Sequence, residues 1–361
     1  MKLRRRISKL KKSMEERGLE AFIITKSLRY FAGTTAGKIV LVPLDGAPIL
    51  ITSRLEQDQA REESWIKDVR AFSGWKAPLR RGERVYFMKL LELLGECLRE
   101  SKCRVVGYEA LSCQAVRRLK KLCAAGLLEL PELVLDLRKI KDPEEIELLS
   151  KSAQIAASGM RAAQETIRPG VKEIEVAAQA EYAMRMAGSE GMPFETIVAS
   201  GPNSWHPHAR TSQKTIRRGE LVIVDLGAVY KGYASDCTRT FAVGAKEKQL
   251  RLIEVVRKAQ QAAISRLRDG IEASEISDAA ELILKSANLL KYSLHGLGHG
   301  VGIEIHEPPS LHPGSKDVLK ANMVVTIEPG VYLPRVGGAR WEDMVLIEKS
   351  GASPLTMKYL S

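Results

Sequence analysis

LVIVDLGAVYKGYASDCTRTFAVG, residues 221–244, is the stretch on which the reading of this chain turns. Two runs rich in β-branched and aromatic residues flank Lys231-Gly232, so the segment predicts an antiparallel hairpin. A two-residue loop at that point sets Asp225 across from position 238, with Asp236 as its diagonal neighbour. A loop shifted by one sets the two aspartates directly opposite. In either register both carboxylates leave the same face, about 5–8 Å apart at Cβ. Like charges this close in strand interiors repel, and aspartate is a poor strand former, so a cation is expected between them. For the two aspartates alone, pairing with Arg239 or Lys214 explains as much as a metal does.

Three further segments shift the balance. HGLGHGVGIEIHE, residues 295–307, sets His299 among glycines and then runs through a strand-like GIEIHE that carries His306. TIEPGVY, residues 326–332, places Glu328 at the end of the apolar run MVVTI and before a Pro-Gly turn; GGARWEDMVLIEK, residues 337–349, returns as a strand with Glu342. Any one of these is explained by an ion pair. Five acids and imidazoles at strand positions beside glycine-rich turns point to metal. Four carboxylates and one imidazole exceed what one divalent ion balances and suit two ions about 3.5–4 Å apart. Oxygen-rich ligation with one nitrogen favours Mn, Co, Fe or Zn, and the lack of cysteine ligands argues against a purely structural zinc.

Outward from this centre, the chain of 361 residues predicts about two domains. Residues 1–137 alternate helix and strand patterns: a basic first helix up to Gly18, strands at AFIIT and in KIVLVPLDGAPILIT with a turn at Asp45-Gly46, a helix near 86–100, the short strand RVVGYE, and a helix from Cys113 to Cys123. Asp142-Pro143 opens a new helix with proline at its first position, and a second domain, 138–361, begins there. All six histidines fall in that second part. Within it, IRPGVKEIEVAAQAEY echoes LRDGIEASEISDAAEL about a hundred residues later, pairing Gly170 with Gly270, Val171 with Ile271 and Ile174 with Ile276. Two related α-α-β halves are the economical reading.

The composition, 45% hydrophobic and 28% charged, is that of a folded enzyme and not of a disordered chain. No apolar run is long enough to span a bilayer and the basic start lacks the apolar core of a signal peptide, so a cytoplasmic location is expected, with no membrane partner. Five cysteines, odd in number and without a CxxC pair, predict reduced thiols; Cys237 should face away from Asp236. The net charge of +12 is spread along the chain, save for a cluster at Arg4, Arg5, Arg6, Lys9, Lys11 and Lys12 that reads as the solvated face of the first helix. No nucleic-acid partner is expected.

Asp225, Asp236, His299, Glu328 and Glu342, at intervals of 11, 63, 29 and 14, resemble the five ligands of the pita-bread metallopeptidases, a family that includes methionine aminopeptidase, prolidase, aminopeptidase P and creatinase. The YFAG and LVPLDGAPIL stretches are similar to the amino-terminal domain of prolidase and aminopeptidase P. The resemblance implies an amino-terminal creatinase-like α/β domain and a carboxy-terminal pita-bread α+β domain with a pseudo-twofold repeat. It implies two divalent ions, manganese foremost: Asp225 on one, His299 and Glu328 on the other, Asp236 and Glu342 bridging. A hydroxide shared by the metals is then the nucleophile and Glu328 the general base.

VASGPNSWHPHART, residues 198–211, resembles the family's substrate-side segment and selects His208 over His206. His306 corresponds to a second catalytic histidine and His295 to a substrate-side one. Arg340 matches a family arginine near the site, although a salt bridge to Asp236 or Glu342 explains it equally well. His312 reads as a surface histidine. Ser310 stands where some microbial prolidases carry an arginine for the dipeptide carboxylate. A full first domain argues against methionine aminopeptidase, and an intact ligand set against creatinase or a non-catalytic adaptor. The expected activity is hydrolysis of the bond preceding proline, by a homodimer acting on proline-containing peptides as dipeptidase or aminopeptidase.

Overall fold

Lys231 and Gly232 both take positive φ, 47° and 75°, the combination of a type I′ turn whose twist matches that of the strands it joins. The two-residue loop is therefore the one formed, and Asp225 stands across from Thr238. The structure, a computed structural model, describes residues 2–360. The chain divides into two compact units, residues 1–137 and 138–361.

The first unit is built on a seven-stranded mixed sheet. Ala21–Ile24 lies inside it, antiparallel to Ile39–Pro43 and parallel to Val105–Tyr108. Sequence patterning missed the parallel strands Asp68–Phe72, inside the sheet, and Gly126–Glu129, at its edge, which are short and only partly buried and so lack the apolar alternation that marks a strand. The basic cluster of the first helix, Lys2–Glu16, is not all solvated. Arg6 is buried, donates to the Tyr30 carbonyl at 3.0 Å and stacks on the Tyr30 ring, and Lys11 donates to the carbonyls of Leu44 and Gly46. Both reach back over the helix with long aliphatic stems, which lets a charged residue sit on an apolar face.

In the second unit Asp142 caps the helix Pro143–Thr166, accepting from the amides of Glu144 and Glu145 at 3.0 Å each while Glu145 returns a carboxylate to the Asp142 amide. That helix and Glu173–Met186 pack on the three-stranded sheet that holds the Glu220–Leu226 and Cys237–Val243 hairpin. Helices Glu247–Ile264 and Ala273–Ser286 pack in the same way on a five-stranded sheet containing Gly298–Gly300, Val324–Ile327 and Asp343–Glu348. The two halves repeat with an offset of one hundred residues. Gly170 and Gly270 both have positive φ, and their amides donate to Ile216 and Leu319 at 3.0 and 2.8 Å. The offset pairs the fully buried Val176 with the fully buried Ile276, whereas Ile174 is 41% exposed. The sequence pairing of Ile174 with Ile276 is therefore two residues out, because it matched residue type where helix geometry matches burial.

The expected strand through GIEIHE does not form. Residues 302–306 make a chain of bends, and the next strand is Glu307–Leu311. The Gly302 amide donates to the Glu304 carbonyl at 3.1 Å, closing a tight turn, and the Glu307 carboxylate is held by Arg138, by Lys141 at 3.5 Å and by the Glu304 amide. These bonds fold the segment back on itself and leave His306 on an exposed bend.

Candidate metal centre

Three of the four acids, Asp236, Glu328 and Glu342, sit at strand ends or ladder breaks, which relieves the poor fit of acidic residues to strand interiors, whereas Asp225 is paired on both sides within Glu220–Leu226. Asp236 lies in a gap between the short strand Tyr233–Ala234 and Cys237–Val243. Ile327 pairs with Asp343, so the next residues in register, just past the ladder, are Glu328 and Glu342. His299 is central in Gly298–Gly300. A Cβ at Gly298 would stand 2.0 Å from the Thr326 carbonyl oxygen, so glycine is what brings the histidine strand against the strand leading to Glu328.

The groups converge. Asp236, His299 and Glu342 each offer one ligand atom, and these atoms lie within 4.8 Å of one another. His299 Nε2 is 3.7 Å from Asp236 Oδ2 and 3.4 Å from Glu328 Oε1. The His299 amide is fixed by Thr326 Oγ1 at 3.0 Å, while Nδ1 lies 3.1 Å from the Gly300 carbonyl, leaving Nε2 turned to the carboxylates. Glu342 Oε2 accepts from the Thr238 hydroxyl at 2.6 Å. Cys237 faces the opposite way, into the core under the hairpin.

Asp225 Oδ2 is paired with the Arg340 guanidinium, but its Oδ1 is buried and accepts no hydrogen bond among the described residues. A buried carboxylate oxygen without a donor is costly unless a cation completes it. Burial, then mutual repulsion with Glu342 and Asp225, raises the Asp236 pKa well above the carboxylate range. Glu342 is raised in the same way, by burial and then by Glu328. Burial pushes Glu328 up to about 8 and His299 down to about 4, each toward its neutral form. Such a set is self-consistent as a holder of divalent cations, which would restore the charged carboxylates and the neutral imidazole that ligation needs.

The remaining selected residues surround the cluster. His208, His295, His306, Ser310 and Arg340 line a cavity of about 270 Å³ together with Asp236, His299, Glu328 and Glu342. The His306 ring meets that of His299 edge-on, with centroids 4.3 Å apart. Arg340 is fully committed: besides Asp225 it donates to the Tyr332 hydroxyl at 2.7 Å, to Thr238 Oγ1 and to the Pro207 carbonyl at 3.2 Å each. Its acidic partner is thus Asp225, and neither Asp236 nor Glu342. His206 turns its ring onto Trp205, and His312 is exposed, bonded to the Pro313 carbonyl.

Tyr332 was not selected from sequence, yet its buried hydroxyl joins Arg340 to His295 Nε2 at 2.8 Å. Thr238 and Thr326 were missed as well. Each lies two residues from a selected acid, Asp236 and Glu328, on the face that the strand period of two assigns to it, but a threonine in a strand carries no signal of its own.

Buried carboxylates converging with an imidazole at the base of a histidine-lined cavity, on two repeated α-α-β halves, define a metallopeptidase. The chain belongs to the M24 metallopeptidases: residues 147–349 match the family described as Metallopeptidase family M24, and residues 6–140 match the Creatinase/Prolidase N-terminal domain. It is similar to the Xaa-Pro dipeptidase of Pyrococcus furiosus, 39% identical over 98% of both chains. Among solved structures it resembles the Xaa-Pro dipeptidase from Bacillus anthracis, with a TM-score of 0.90 at 31% identity over 98% of this chain and 97% of that one. The X-Pro aminopeptidase from Thermotoga maritima superposes with a TM-score of 0.84 at 30% identity, covering 94% and 97%. The family implies divalent metal ions.

Proposed function

We propose that this enzyme hydrolyses the peptide bond preceding proline, acting on Xaa-Pro dipeptides, with a pair of divalent ions, manganese foremost, held by Asp225, Asp236, His299, Glu328 and Glu342. The observation that carries the reading is the convergence of Asp236, His299, Glu328 and Glu342 at a cavity rimmed by His208, His295 and His306, with Asp225 tied to the same cavity through Arg340. The similarity to Xaa-Pro dipeptidases over nearly the whole chain supports the choice of substrate. In this reading residues 138–361 form the catalytic domain and residues 1–137 a creatinase-like domain.

When bound, the ions supply Lewis acidity toward the scissile carbonyl and lower the pKa of water toward neutrality. The protein's own groups do the rest. Glu328, at the base of the cavity, takes the proton that the attacking water gives up and passes it to the leaving proline nitrogen. His208 and His306, on the open side of the cavity, hydrogen-bond the carbonyl oxygen and the tetrahedral oxyanion it becomes. The Arg340–Tyr332–His295 chain of hydrogen bonds fixes Asp225 and the imidazole of His295, whose Nδ1 lies 4.0 Å from Glu328 Oε2. Burial lowers the His295 pKa to about 4, so it stays neutral and positions without adding charge. Among the described residues no helix is long and apolar enough to cross a membrane, and the five cysteines are unpaired; the reading places a homodimer in the cytoplasm.

The test is a panel of X-Pro, X-Pro-Y and Met-Ala-Y peptides assayed with added Mn, Co or Zn. Turnover of X-Pro dipeptides is expected. Turnover of Met-Ala-Y alone, or of nothing with any metal, overturns the assignment.

A further inference from the structure

Beyond the 270 Å³ cavity the cleft opens into a second space of about 540 Å³, and His208, Asp236 and His306 line both. The outer space has an apolar wall of Phe194, Ile197 and Ile305, and its other charged side chains are Glu181, Glu195 and Arg210. Arg210 is the one arginine or lysine on this wall, and it makes no hydrogen bond or ion pair with the described residues. The cleft's other arginine, Arg340, has every arm bound to Asp225, Tyr332, Thr238 or Pro207.

The backbone that carries Arg210 is pinned. The next residue, Thr211, accepts from the Val198 amide at 2.8 Å and donates to the Thr196 carbonyl at 2.7 Å; Ser212 then binds the buried Glu173 through its amide at 3.2 Å and its hydroxyl at 2.6 Å. The guanidinium is therefore presented from a fixed point two residues beyond His208.

An Xaa-Pro dipeptide ends in a free carboxylate one residue past the scissile bond, within about 3.3–3.6 Å of backbone from it. Glu181 and Glu195 repel that carboxylate, and with His208 and His306 engaged at the scissile carbonyl, Arg210 is the remaining group on the outer wall that attracts it. A planar guanidinium matches a carboxylate through two parallel hydrogen bonds. We infer that Arg210 binds the terminal carboxylate of the proline residue, and that it sets the preference for dipeptides over longer or blocked chains. This rests on the proposed Xaa-Pro activity.

The experiment compares wild type, Arg210→Ala and Arg210→Lys in steady-state kinetics on Ala-Pro and on Ala-Pro amide, the amide followed as substrate or as competitive inhibitor. Arg210 is exposed, so the loss is set at the lower end for a charged hydrogen bond. Arg210→Ala should raise KM for Ala-Pro about 10-fold with kcat little changed, and leave the amide unaffected. Arg210→Lys should recover part of the loss, since it keeps the charge and gives up the fork. An unchanged KM for Ala-Pro, or an equal rise for dipeptide and amide, overturns the inference alone. A wild-type enzyme that neither cleaves nor binds either compound overturns both this inference and the proposed activity.

Discussion

Removing divalent ions from the centre leaves buried carboxylates without counter-charge, and a fall in pH from 8 to 6.5 should then make the metal-free protein more stable. Glu328 has a folded-state pKa raised from 4.5 to about 8, so over this interval the folded state takes up a proton that the unfolded state does not. Stability is gained as pH falls through the folded value. At about 1.36 kcal/mol per pH unit per proton, Glu328 contributes roughly 1.5–2 kcal/mol between pH 8 and 6.5. Asp236 and Glu342 are raised in the same direction and add to the slope. Below pH 6.5 the gain flattens, because His295 and His299 have folded-state pKa values lowered from 6.5 to about 4 and resist protonation that the unfolded chain accepts, which offsets part of the carboxylate contribution. The dependence of the metal-free protein on pH should therefore be steepest above pH 6.5. For a unit of this size about 2 kcal/mol moves Tm by roughly 4–8 °C. Calorimetric melting of chelator-stripped and metal-loaded protein at half-unit pH steps reads this directly. Loaded protein should be flat over the same interval, and Glu328→Gln should lose most of the slope when stripped. A stripped wild type whose Tm is constant or falls from pH 8 to 6.5 refutes the electrostatic account of the centre.

Two further outcomes follow from the arrangement of the site. His208→Ala and His306→Ala should each lower kcat on an X-Pro peptide by about 10- to 1000-fold while binding the same amount of metal, measured by elemental analysis of the dialysed variants; loss of metal in either would make that histidine a ligand. Tyr332→Phe takes away the hydroxyl between Arg340 and His295, and a buried donor and acceptor left unpaired should cost about 1–3 kcal/mol of stability by denaturant titration; stability equal to wild type would mean that water replaces the hydroxyl.

The selected residues were legible because acids at strand ends stand out against the apolar alternation around them. The hairpin register was narrowed to two choices by the strand period and decided by the turn at Lys231-Gly232. Tyr332, Thr238 and Thr326 were not legible in the same way. Threonine is an ordinary strand residue, and Thr238 meets Glu342 only because the two sheets bring together positions far apart in sequence. The bent segment before Glu307 misled for a related reason: its apolar alternation is real, but buried pairing of Glu307 with Arg138 and Lys141 from the start of the second unit overrides it. In the first unit the short, partly buried strands Asp68–Phe72 and Gly126–Glu129 carry almost no periodic signal.

The hundred-residue offset has a consequence for how such a centre can be built at all. Asp225 and Asp236 come from the first half of the second unit, and His299, Glu328 and Glu342 from the other. In the proposed two-ion reading, a lone half would own either two acids or an imidazole with two, too few to hold a pair of ions. On that reading, severing the chain near Gly244, where one half gives way to the next, would yield fragments whose reassembly depends on the cations that both sides share.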